Sequence, residues 1–168
     1  GMALAQPQAG LAKEAVLSYE TALKIKPQLW EAEINVGMLL MNQQRFEESL
    51  AHFQRASGLN PQSFQSAFFS MKALESLKRW KEAAEAGLNA LPLAQDDAAK
   101  FELHASLGAI YLKADSAREA EKHLVIARQH GADPAIDLEL AQLYLQQGGF
   151  DKSVELLEPL AHKHPEDA

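Results

Sequence analysis

An all-α solenoid of antiparallel helix pairs is the fold this sequence predicts, on three observations. Residues 28–61 (QLWEAEINVGMLLMNQQRFEESLAHFQRASGLNP) divide into two helix-like stretches around a tight turn and close on Asn60-Pro61. The segment before Pro27 (KEAVLSYETALKIKP) is a variant of the one before Pro61 (EESLAHFQRASGLNP), 34 positions away; self-similarity at such a period marks a stacked helical repeat. Alternating β-branched runs, the signature of strands, do not occur.

Residues 1–10 (GMALAQPQAG) predict a loop with at most one helical turn, Gly1 reading as a tag remnant. From Leu11 to Lys26, apolar residues recur at spacings of three and four, which predicts an amphipathic helix ending at Pro27. This is a partial repeat, 11–27, without most of its leading helix. The next repeat, 28–61, has helices over 28–43 and 46–58, with Gly58 as a stop and Asn60-Pro61 as a capped new start. Repeat 62–95 has helices over 62–77 and 80–91. Repeat 96–132 opens on Asp96-Asp97, whose carboxylates suit a helix N-terminus, and Ser116-Ala-Arg-Glu119 has a capping-box pattern. Repeat 133–168 starts at Asp133-Pro134, turns at Gly148-Gly149 and continues from Phe150 to Lys163.

Aligned, the repeats form columns. Val36, Ser70, Leu107 and Leu140 make one; Gly37, Met71, Gly108 and Ala141 the next; Leu40, Leu74, Tyr111 and Tyr144 follow. The second helices contribute Tyr19, Phe53, Gly87, Leu124 and Leu157, then Ala22, Ala56, Ala90, Ala127 and Leu160. From Met71 to Gly108 the spacing is 37 instead of 34, so three extra residues near Ala98–Lys100 should lengthen the fourth leading helix. Small residues let paired helices approach and a large neighbour fills the gap. The third repeat reverses the pattern, so Met71 should fill what Gly87 vacates, keeping core volume constant.

These columns resemble the tetratricopeptide repeat, with its Leu-Gly, Tyr, Ala, aromatic, Ala and Pro pattern, over residues 11–168. The resemblance implies a right-handed superhelix whose concave face, lined by leading helices, holds a peptide or helix of a partner. Two departures stand out. The large aromatic expected early in each leading helix is replaced by Glu33, Ala67, His104 and Asp137, and Pro is missing at the ends of the third and fourth repeats.

No enzymatic constellation is visible. The six histidines are scattered, and in the one close pair, His162 and His164, an i, i+2 spacing on a helix points the rings apart. Glu47-Glu48, Asp96-Asp97 and Glu119/Glu121 fit first turns or solvated faces. Phosphate loops, nucleophile elbows and zinc motifs do not occur. Catalytic residues, cofactors and metals are therefore not expected. The absence of cysteine removes disulfides and thiolate chemistry but does not choose between cytoplasm and periplasm. A net charge of −7 argues against a nucleic-acid partner, and no apolar run is long enough for membrane insertion.

What remains is a surface. By the resemblance, the groove is lined by Ile34, Asn35, Met38, Met41 and Asn42, by Phe68, Phe69 and Lys72, by Ala105, Ala109 and Leu112, and by Leu138, Gln142 and Leu145. Methionine adapts to varied apolar shapes, which suits an apolar or amphipathic segment. The column Asn35, Phe69, Ser106, Glu139 excludes an asparagine ladder, and Lys72 without matching basic residues argues against a clamp for carboxylate tails. The expected function is thus a non-catalytic interaction scaffold with a protein or peptide partner, a fragment of a larger, bacterial repeat protein. The alternative is a structural spacer that carries a separate catalytic domain or forms a homodimer through terminal helices, by faces around Tyr19 and around Val154, Leu157 and Leu160.

Overall fold

The computed structural model describes residues 5–163, with side chains over 14–161. Among them are nine α-helices and no strand. The chain divides into two compact units, one ending at Leu93 and one beginning at Ala94.

The first unit holds α1 (Ala5–Ile25), α2 (Trp30–Asn42), α3 (Phe46–Leu59), α4 (Phe64–Ser76), α5 (Trp80–Ala90) and a 3₁₀ turn, Leu91–Leu93. Each helix packs on the next in sequence, and α2 also meets α4. Helix α1 begins at Ala5, where a loop was expected up to Gly10. Pro7 lies in the first turn, where backbone N–H groups have no intrahelical acceptor, so the imide costs no hydrogen bond. Helix α3 runs through Gly58 to Leu59. The next start also differs from expectation. Asn60 Oδ1 accepts from the Gln62 amide at 3.2 Å and closes a turn, while Ser63 caps α4 by accepting from the Ser66 amide at 3.3 Å. The core is built from Val36, Phe53, Ala56, Met71, Ala73, Ala83 and Ala90, all without solvent contact.

The second unit holds α6 (Asp97–Lys113), α7 (Ala117–His130), α8 (Pro134–Gln146) and α9 (Phe150–Lys163). Helix α6 has 17 residues where α2, α4 and α8 have 13, so the insertion does lengthen the leading helix. Asp96 accepts from the Ala99 amide at 2.7 Å. Asp133 accepts from the Ala135 amide at 2.9 Å, with Pro134 in the first turn of α8. The capping box at Ser116 does not form: its hydroxyl donates to the Ala114 carbonyl at 3.3 Å. Leu103, Leu107, Ile110, Leu124 and Leu140 fill the core. The pair His162/His164 lies outside the described side chains, as does Pro165.

Each helix pair turns on one residue with a left-handed backbone: Gln44 (φ 60°), Lys78 (φ 58°), Asp115 (φ 55°) and Gly148 (φ 76°). These four positions form a single column of the repeat.

Candidate interaction surface of the leading helices

A leading helix that packs against helices on one side leaves a narrow stripe at i, i+4, i+7, i+11 facing away from the core. In α2 that stripe is Glu31, Asn35, Met38 and Asn42, with Asn35 half-buried and the others exposed. Met38 is 40% exposed, an unusual position for a large apolar side chain. Met41 is half-buried beside it. In α4 the corresponding stripe carries Phe69 and Lys72, both half-buried. Phe69 stacks on Phe53 with centroids 5.4 Å apart, and Lys72 pairs with Glu75.

Two expected groove residues belong to the core instead. Ile34 is 4% exposed and Phe68 6%. They sit one position before Asn35 and Phe69, and a helix turns about 100° per residue, which takes their side chains off the stripe. Phe68 is sandwiched between Phe64 and Phe69, at centroid distances of 5.5 and 5.8 Å.

In the second unit the leading helices enclose a cleft of about 340 Å³, lined by Ala109, Leu112, Lys113, Asp115, Glu139, Gln142, Leu143 and Gln146. Three expected residues, Ala109, Leu112 and Gln142, therefore share one depression between α6 and α8. Leu138 and Leu145, 53% and 45% exposed, stand on α8 one turn to either side of Gln142. Ala105 and Leu112 are half-buried against the cluster of Leu124, Ile136, Leu140, Ala141 and Leu156, so part of their role is packing.

Glu139 was placed by sequence in the Asn35 column but not among the lining residues. Its Oε2 is shielded from solvent with no hydrogen-bond partner among the described residues. Burial pushes its carboxyl pKa up and Asp133 adds to the shift, while Lys113 opposes it. The column itself was the available signal, since Asn35 in the same register was assigned to the surface.

Polar pairs that sequence did not link lie between α2 and α3 and between α6 and α7. Glu33, buried, meets His52 Nδ1 at 2.6 Å and accepts from Arg55 Nε at 3.1 Å. In the equivalent positions, His104 and His123 face each other Nδ1 to Nδ1 at 2.9 Å. His123 stacks on Tyr111, His104 stacks on His130, and His130 meets Asp97 at 3.0 Å. Burial lowers both central histidines, His123 to about 4. No group of three or more metal-binding side chains occurs among the described residues.

Antiparallel helix pairs in register, with an outward stripe on each leading helix, define an all-α helical repeat fold of the tetratricopeptide type. Residues 36–98 match the tetratricopeptide repeat family. The fold is similar to that of MamA, with a TM-score of 0.85 and 15% identity over 99% of this chain and 96% of that one. It is also similar to YrrB, a tetratricopeptide repeat protein with an unusual peptide-binding site (TM-score 0.76, 18% identity, 88% of this chain and 75% of that one). A third similar structure is PilF of Pseudomonas aeruginosa (TM-score 0.77, 18% identity, 95% and 72%). A sequence search of curated proteins gives no match. The fold supports a protein–protein interaction scaffold, and among the described residues no helix is long and apolar enough to cross a membrane.

Proposed function

We propose that the chain is a non-catalytic scaffold that holds a peptide or helix of a partner along the outward stripes of its leading helices. The observation that carries this reading is the α6–α8 cleft, where Ala109, Leu112 and Gln142 converge beside exposed Leu138 and Leu145. In the first unit, Met38, Met41 and Asn42 supply adaptable apolar contact with a polar edge. YrrB offers a precedent for peptide binding on a similar fold. The test is selection of a displayed library of random peptides on the immobilised chain. Selected peptides should lose at least about tenfold in affinity on Ala109→Arg, which fills the cleft, or on Met38→Glu. Undiminished binding to both variants sinks the reading.

A second reading draws on α9. Phe150 and Val154, 65% and 59% exposed, lie one turn apart on the same face. They suit self-association of two copies. Light scattering decides it: a dimer that Val154→Glu dissociates supports it, and a monomer at high concentration removes it.

A further inference from the structure

We propose that the α6–α8 cleft receives a Lys or Arg side chain of the bound segment, seated against Glu139. This rests on the reading of the cleft as a peptide site and specifies its partner: an apolar segment carrying one cation at a defined position.

Four features of the cleft support it. First, Oε2 of Glu139 is shielded yet has no hydrogen-bond partner among the described residues. A buried acceptor left unpaired is unfavourable, and a charge-assisted donor is its strongest remedy. Second, the wall beside it is apolar, from Ala109, Leu112 and Leu143, matching the aliphatic stem of Lys or Arg below its charged head. Third, the charge is right. Asp115 adds a second carboxylate to the lining, and Lys113 is the one cation among the described residues that line it. Lys113 forms no ion pair with Glu139, so the carboxylate remains available. Fourth, exposed Leu138 and Leu145 flank the cleft along α8, so residues on either side of the incoming cation meet apolar contacts. Burial raises the carboxyl pKa of Glu139, and a docked cation would reverse that shift.

The experiment uses the full chain and a displayed library of random peptides of about twelve residues. Enriched sequences are remade with acetylated N-termini and amidated C-termini, which leaves side chains as the only cations, and measured by fluorescence anisotropy. The expected result is a shared Lys or Arg between apolar positions. Replacing it by norleucine or citrulline should weaken binding at least about tenfold, and Glu139→Gln should bind the charged and neutral peptides alike. Circular dichroism of Glu139→Gln controls for folding. Peptides that are lost on Ala109→Arg but are indifferent to the cation overturn the proposal and leave the peptide site standing. Full cation preference retained in Glu139→Gln overturns it too, placing the contact elsewhere. Peptides that bind Ala109→Arg undiminished remove the site itself.

Discussion

At the scale of single residues, the repeat is organised by pairs of positions 16 and 19 apart. A side chain on Gly37 would place its Cβ 2.5 Å from Phe53 Cε1, and one on Gly108 would lie 2.6 Å from Leu124 Cγ. Both large partners are fully buried, and Phe53 is further held by its stack on Phe69. In the third repeat the sizes are exchanged in the sequence, and both Met71 and Gly87 are buried. Gly87→Leu alone should cost roughly 1–3 kcal/mol by overpacking. Adding Met71→Gly should restore most of that loss in urea denaturation. This exchange was legible in sequence because both positions recur at the repeat period. The pair His104/His123 was not, because the contact joins two helices 19 residues apart and replaces an aromatic with two polar rings. Its nearest signal was Glu33 and His52, spaced identically. The histidines also set a pH dependence. Unfolded, His123 takes up a proton near its ordinary 6.5; folded, it resists until about 4. Its neutral form therefore stabilises fully above 6.5 and progressively less as pH falls from 6.5 to 4, by up to about 3 kcal/mol. Urea titrations between pH 7 and 4 should show this slope, and His104→Leu/His123→Leu should flatten it relative to the parent.

At the scale of elements, helix existence and phase were readable from apolar spacing, while the ends were less so. Asp96 and Asp133 cap as their sequence positions suggest. Asn60 does not, because α4 begins later, at Phe64, and Ser63 takes the cap position; Ser116 does not, because a capping side chain needs the chain to enter the helix in an extended conformation. Ser116 enters with φ −104° and ψ 65°, which turns its hydroxyl back to Ala114. The turns were recognised, but their left-handed residues were hidden, since Gln44, Lys78 and Asp115 carry side chains that rarely adopt that region. Only Gly148 announced itself. Gly148→Ala should destabilise by about 1 kcal/mol, measured as a fall in the urea midpoint. Among the groove residues, Ile34 and Phe68 were misassigned because a one-residue phase error on a helix moves a side chain from surface to core. The unpaired carboxylate of Glu139 depends on three-dimensional neighbours and had no signature of its own.

At the scale of the whole molecule, stability in a repeat protein is close to a sum of local contributions and nearest-neighbour contacts. In the first unit each helix packs mainly on its sequence neighbours, and the same holds separately in the second. A destabilising change should therefore act locally. Gly37→Leu is expected to lower hydrogen-exchange protection in α2 and α3 while amides of α7 and α8 keep theirs; uniform loss along the chain would contradict this. The net charge of −7 adds a global field that favours approach of a cationic partner, and raising ionic strength should slow that association. The column of left-handed turn residues has a practical corollary. Because a backbone torsion sets each bend, while its four short sequences share little, the joints ought to be exchangeable parts. Transplanting the glycine-bearing hinge at 147–150 onto 43–46 or 77–80 would make a hybrid chain with its helical hairpins unchanged, a route to rewiring such arrays without touching their cores.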